Sequence, residues 1–347
     1  MAKSTLEKIH TKFSKPSNLV IATFILGGGT VFLVLSIALS ILYGASDISF
    51  QTIWQSITNF DPASTSHQII RGLRIPRALA AALIGAALAI SGSLMQGMTR
   101  NPLASPSIMG VTAGATFMMA IALIVMPGAS NFVMMLWAFA GAGIGVAIVF
   151  GVGSISKSGL TPVKLALAGT AVTAILSSLS SAIAIHFNVA KDISFWYAGG
   201  VSSVQWIHVK LLWPIALIGF IIAFLLAKSI TVLSLGEDVA KSLGHQTFLI
   251  KTVGTVVVLL LTGAAISVSG TIGFIGLVIP HITRFLVGVD YRWIVPCSAV
   301  LGALLLVIAD TASRMINPPF ETPVGTVTAI VGVPFFLYLA RREGGKM

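Results

Sequence analysis

Acidic residues are scarce in this chain. Ten Asp and Glu stand against twenty-one Lys and Arg in 347 residues, and only 9% of the sequence is charged at all. A soluble domain carries roughly 25% charged residues, so a globular cytosolic protein is excluded. There is one cysteine, Cys297. It can form no internal disulfide and has no second thiol for a metal site, which removes redox and zinc chemistry. No G-x-x-x-x-G-K-[ST] phosphate loop is present, so the chain does not hydrolyse nucleotide by itself. H-E-x-x-H and G-x-S-x-G are also missing, and with them the support for a membrane metalloprotease or a serine esterase. What the sequence has in plenty is apolar surface: 56% hydrophobic residues and a mean hydropathy of +0.98. No single soluble core could bury that much, so the solvent for most of it is lipid.

Apolar runs of about 20 residues predict about ten membrane-spanning helices. They fall near 19–43, 73–97, 105–126, 132–153, 163–186, 206–228, 249–269, 272–287, 293–315 and 323–340. The fold class is all-α: a polytopic membrane protein with a tail at 1–18 and a single transmembrane domain over 19–347. The tail MAKSTLEKIHTKFSKPSN is polar and basic, and no small-x-small cleavage site follows, which fits a retained first helix. With the tail in the cytoplasm, Lys3, Lys8, Lys12, Lys15, Arg100, Lys157, Lys164, Lys228, Lys241, Lys251, Arg284, Arg292, Arg341, Arg342 and Lys346 all lie on that side. The outer side keeps Arg71, Arg74, Arg77, Lys191, Lys210 and Arg314. This asymmetry obeys the positive-inside rule and predicts that both termini are cytoplasmic. The net charge of +11 is therefore a matter of topology, since the basic residues sit at the ends of spans rather than on one face, and nucleic acid is not a partner.

Small residues recur inside the spans. Gly85, Ala89 and Ser93 at fourfold spacing, and Gly270, Gly273 and Gly276 at threefold spacing, predict close helix packing. Pro280, Pro296 and Pro334 should kink or break their helices. His186, His208, His245 and His281 are far apart and read as helix-end or packing residues, so no metal site and no catalytic residue is assigned. An ion-coupled transporter needs ionisable groups at membrane depth. The one carboxylate well inside a span is Asp310, with Arg314 a turn later to neutralise it. That pair reads as structural, and transport driven by another protein moves ahead of ion coupling.

One charged stretch interrupts two apolar runs: LSLGEDVAKSLGHQ, 233–246. Leu235, Val239 and Leu243 at i, i+4 and i+8 predict an apolar ridge, Glu237 and Lys241 an ion pair on another side, and Gly244 a helix C-cap. Two readings stand. The helix lies on the headgroups, or it is a docking knob for the groove of a cytoplasmic partner.

Four blocks carry a family resemblance. RIPRALAAALIGAALAISGSLMQGMTRNPLASPSIMGVTAGA (74–115), LGEDVAKSLG (235–244), GTIGFIGLVIPHITRFLVGVDYRW (270–293) and ADTASRMINPPFETPVGTVTAIVGVPFFLYL (309–339) resemble the FecCD-type permeases. These are the membrane subunits of type II ABC importers for iron-siderophores, haem and cobalamin. The resemblance runs from about residue 20 to the end. It implies the type II permease fold and import of a ferric siderophore by alternating access, with haem or cobalamin as the alternative cargo.

It also implies partners and sites. The partners are an identical or homologous second permease, two cytoplasmic ABC ATPases that use ATP and Mg, an extracytoplasmic substrate-binding protein, and the bilayer of the bacterial inner membrane. No cofactor belongs to this chain. The coupling segment is 229–248, with Leu235, Glu237, Asp238, Val239, Lys241, Leu243 and Gly244 at the ATPase contact. Arg74, Arg77 and Arg314 match the arginines that meet binding-protein glutamates, as exposed pairs worth about 0.2–1 kcal/mol each. Read from the residues alone, Arg71, Arg74 and Arg77 can also be interfacial anchors, but three arginines on the side that the positive-inside rule leaves bare favour the contact. Thr161, Pro162 and Val163 match the gate, and Pro162 departs from the small hydroxyl residue of the cobalamin permease. Phe195, Trp196 and Tyr197 match the pathway-lining outer helix, though they also read as an aromatic belt.

Overall fold

The computed structural model describes residues 18–44, 48–154, 162–318 and 320–344. Among them every regular element is helical. Ten helices correspond to the ten expected spans: α1 (Asn18–Leu42), α4 (Ile75–Thr99), α5 (Val111–Val125), α6 (Asn131–Ser154), α7 (Pro162–His186), α9 (Trp206–Leu235), α11 (Thr247–Ser269), α12 (Ile275–Val287), α13 (Tyr291–Met315) and α14 (Val324–Gly344). Seven are long and apolar enough to cross a bilayer, and α5, α12 and the apolar part of α14 are shorter. Between them lie four short helices: α2 (Phe50–Thr58), α3 (Thr65–Ile69), α8 (Ala190–Ala198) and α10 (Glu237–Ser242).

The expected boundaries shift where local chemistry overrides hydropathy. The span predicted from 105 begins at Val111, because Pro106–Met109 forms a 3-10 turn and Gly110 follows at φ 76°. The span predicted from 272 begins at Ile275, after Gly270 (φ 64°) and Phe274 (φ 68°) carry the chain through left-handed backbone. α9 runs seven residues past the expected 228, to Leu235, since SITVLSL offers nothing to stop a helix before Gly236. α12, α13 and α14 run through Pro280, Pro296 and Pro334, so of the expected kink or break, a break is not what these prolines make. Each proline removes one intrahelical bond, and the packed flanks hold the remainder of the helix.

Helix α4 is the centre. Buried residues make up 78% of its most apolar stretch, against 17% for α1 and 22% for α9, so α4 is surrounded by protein while the other two face outward. Its alanines and glycines make this possible. A methyl group at Gly85 would overlap the carbonyl of Gly302 in α13, and one at Gly92 would overlap the carbonyl of Gly276 in α12. Three backbones thus touch where no side chain fits, as close small-residue packing in membranes requires. Gly273, expected to pack, faces open space instead.

The core divides in two. One buried cluster joins α1, α4, α9, α11, α12 and α13, and also takes in Ala240 of α10 and Val324 of α14. Smaller clusters tie α5 through α8 to one another and seat them on α4 and α11 through Met95 and Ile266. Charged groups gather at the two ends of the bundle, Arg77 with Asp310 at one and Glu237 with Lys251 at the other.

Candidate functional site

The Glu237 end contains the interrupting stretch. α9 stops at Leu235 because Gly236 takes φ 143°, ψ 146°, a conformation that side-chain-bearing residues rarely adopt. The chain turns and forms α10, which closes when His245 N–H bonds to Ala240 O (2.9 Å) with Gly244 at φ 80°. Ala240 is fully buried and pins the helix to the main core. Leu235, Val239 and Leu243 are all exposed, at 65%, 43% and 63%. They do not form one helical ridge as expected. Leu235 ends α9, Val239 stands on α10 and Leu243 caps it, so the apolar surface is a corner assembled from three backbone conformations.

Glu237 makes the anticipated pair with Lys241 (3.3 Å) and a second with Lys251 of α11. The hydrogen bond from Lys251 leads in holding the Glu237 carboxyl below the ordinary carboxylate value, with a smaller contribution from Lys241 against the opposing effect of burial. Asp238 is exposed beside them. Nearby, the Arg284 guanidinium donates to Gln96 Oε1 (2.9 Å) and Tyr291 Oη (3.3 Å), a link across α4, α12 and α13 that sequence reading missed.

At the opposite end the three arginines are not exposed, which corrects the sequence expectation. Arg74, Arg77 and Arg314 retain only 7%, 9% and 8% of their accessible surface. Arg77 Nε meets both oxygens of Asp310 (3.0 and 3.1 Å), its Nη2 meets Oδ1 (2.8 Å), and its Nη1 meets Glu321 (2.7 Å). Arg314 Nη2 lies 3.3 Å from Asp310, and its Nη1 donates to the carbonyls of Ser40 and Tyr43. Arg74 donates to the carbonyls of Ile41 and Leu42. The reason is geometric: the end of α1 leaves four carbonyls without helical partners, and two guanidinium groups fill that need. Asp310 is fully buried, as a structural role demands, but its leading partner is Arg77, with Arg314 second. The exposed arginine at this end is Arg71, set 4.6 Å over the Phe60 ring.

Arg77 and Glu321 also line a cavity of about 490 Å3 with Trp196, Asp192, Ser203 and Gly270. Its wall is a crossing of three backbones. Methyl groups at Gly199 or Gly270 would strike the carbonyls of Thr271 or Trp196, and Gly325 lies against Ala198. Thr271 Oγ1 donates to Tyr197 O, and Gly200 N–H to Ser269 O (2.8 Å). Trp196 thus faces the cavity, while Tyr197 is exposed and meets Trp196 edge to face at 6.3 Å. Thr161 lies outside the described residues, as do the side chains of Pro162, Val163 and Phe195. Pro162 is the first residue of α7, a position where its missing N–H costs nothing.

Comparison with known proteins bears on these features together. The FecCD transport family model matches residues 32–342. The iron(3+)-hydroxamate import system permease protein FhuB of Bacillus subtilis (strain 168) is 61% identical over 322 residues, which cover 93% of this chain and 84% of that protein. The iron-uptake system permease protein FeuB of the same organism is 50% identical over 314 residues, 90% of this chain and 94% of its own. Among solved structures, a metal-chelate type ABC transporter in an inward-facing conformation superposes with a TM-score of 0.80 at 29% identity, covering 92% of this chain and 99% of that one.

Proposed function

Because the chain belongs to the FecCD transport family, we propose that it is the transmembrane permease subunit of an ATP-driven importer that takes up ferric siderophores by alternating access. The observation that carries this reading is the 61% identity to a ferric hydroxamate permease across 93% of the chain, which also favours hydroxamate chelates over haem or cobalamin. The subunit performs no covalent chemistry. It works in the bacterial cytoplasmic membrane with both termini inside, paired with a second permease, two ABC ATPases below and a substrate-binding protein above.

In this reading the corner at 235–244 is the ATPase contact. An exposed helix on a flexible loop could not transmit force, and α10 is not one. It is anchored by buried Ala240 and braced by the Glu237–Lys251 pair to α11, while Leu235, Val239 and Leu243 remain available to a partner. Buried Arg77 reaches the surface only through half-exposed Glu321, and the cavity both line is this subunit's share of the path. The paired permease completes that path along the outward residues of α7 and α14, such as Leu167, Ile175, Ile330 and Leu337.

The test is Val239→Asp combined with exchange of Glu237 and Lys241. The variant should reach the membrane in normal amount yet lose ATPase co-purification and cargo-stimulated hydrolysis. ATPase binding and stimulation at the native level would contradict the coupling assignment, and uptake by the isolated subunit without any ATPase would refute the function itself.

A further inference from the structure

A second cavity, of about 770 Å3, lies at the Glu237 end in the wedge where α6 and α11 part. At mid-depth the two helices are packed, with Ala142 and Val146 in one buried cluster with Ile266. Toward Glu237 they separate, and Gly143, Ala147 and Phe150 of α6 face Thr252, Val256 and Leu259 of α11 across the cavity. Gly143 and Ala147 leave the α6 wall low beside the larger Val146 and Phe150, and the slot is open there: a methyl group built on Gly143 meets nothing within 4 Å. From Lys251 to Leu259 the slot is about 12 Å deep at about 1.5 Å per residue. Half a hydrocarbon core is about 15 Å, so the slot takes most of one acyl chain.

The charge is confined to one rim. Lys241, Lys251 and Glu237 line the mouth and leave it with one net positive charge. Glu237 accepts from both ammonium groups, yet an ammonium carries three donors, so each lysine has donors left for an anion. A soluble anion would use the rim and leave the apolar slot empty, while a neutral hydrophobe would fill the slot and leave the lysines idle. One molecule that uses both is an amphiphile with an anionic head. Basic pockets between membrane helices at the cytoplasmic level recognise such lipids.

We propose that this wedge binds an anionic phospholipid of the cytoplasmic leaflet, with one acyl chain between α6 and α11 and the phosphate on Lys241 and Lys251. The proposal rests on the cytoplasmic placement of α10 given above. It makes the lipid a third brace of the coupling corner, joining α10 and α11 to the α5–α8 group.

The experiment uses the full chain in phosphatidylcholine nanodiscs doped with spin-labelled phosphatidylglycerol or spin-labelled phosphatidylcholine, and reads the immobilised fraction of each. The wild type should prefer phosphatidylglycerol. Lys251→Gln should lower that preference by about fivefold, the effect of one basic residue near a charged surface. Gly143→Phe, which fills the slot and leaves both lysines in place, should lower the immobilised phosphatidylglycerol as well. Equal affinity for the two lipids, a preference unchanged in both variants, or displacement of the label by millimolar inorganic phosphate would each overturn the proposal. No ATPase is needed in this assay, so its failure leaves the coupling assignment standing, and a failure of the Val239 test leaves the lipid result standing.

Discussion

Replacing Asp310 by alanine removes the carboxylate that two buried arginines share. Arg77 gives it three hydrogen bonds of 2.8–3.1 Å and Arg314 approaches to 3.3 Å, while Asp310 itself has no exposed surface. Arg314 keeps its carbonyl partners on α1, and Arg77 keeps Glu321, so the loss is concentrated in the Arg77–Asp310 contact. Breaking a buried pair by deleting one member costs about 3–5 kcal/mol, because the remaining charge is left in a medium that cannot solvate it. Unfolding entropy of about 2.1 cal/mol/K per residue over 347 residues converts that into a fall in Tm of about 4–7 °C. The assay is thermal unfolding of the detergent-purified chain followed by tryptophan fluorescence, run on Asp310→Ala, Arg77→Met and the double variant. Once Asp310 is gone, Arg77→Met should cost little further, so the pair should deviate from additivity by about 0.5–3 kcal/mol. A Tm within about 1 °C of wild type for Asp310→Ala, or strict additivity in the cycle, would refute the reasoning. Asp310→Asn adds a functional control: ATP-driven uptake should persist in proportion to the folded protein present. Abolished uptake in fully folded Asp310→Asn would put a moving proton on this carboxylate and return ion coupling to consideration.

Two neighbouring kinds of glycine should behave oppositely. Gly92→Ala, which drives a methyl group into the carbonyl of Gly276, should abolish a monodisperse peak in size-exclusion chromatography, whereas Gly143→Ala, which enters open space, should leave the peak intact; equal behaviour of the two would refute the backbone contact at α4. For pH, Glu237 is held by Lys251 below the ordinary carboxylate value of 4.5. Its native form binds a proton more weakly than the unfolded chain does, so its contribution is fully present above that ordinary value and is lost as pH falls through the lower native one. ATPase co-purification should therefore be flat from about pH 8 to about pH 5, and a step in that range removed by Glu237→Gln would show that the brace is misassigned.

The ten spans were legible because the bilayer imposes a length and a polarity that few other environments demand. α10 was legible as a charged insertion between two apolar runs, and Gly244 as its terminator. What hydropathy could not show was anything set by contact between distant segments. The arginines at 74, 77 and 314 read as surface charges because they stand at span ends. Arg74 and Arg314 are buried because the last carbonyls of α1, more than thirty residues from Arg74 and some 270 from Arg314, need donors there, and Arg77 because it pairs with Asp310, 233 residues on. Glu321 went unread for the same reason, and FQTIWQSIT, too short to span, passed unnoticed although Phe50, Trp54 and Ile57 form an exposed apolar stripe on α2.

The balance of polar and apolar groups at the two ends carries the functional reading further than either end does alone. At the Arg77 end Arg74, Arg77, Asp310 and Arg314 are tied into the fold, while Arg71, Lys191 and Lys210 stay exposed around them, so a protein docking there meets a rigid rim and a cavity flanked by a few surface cations. At the Glu237 end the charges brace a short helix while three apolar side chains stay bare in water. Apolar groups held bare together by a rigid brace suit a partner that covers them. α11 connects the two: it carries the Lys251 brace in its first turns and ends at Gly270, against Trp196 and the cavity at the Arg77 end. If α10 is the ATPase contact proposed above, a load applied at Val239 has a continuous helix, about 35 Å long, between it and the cavity lined by Trp196.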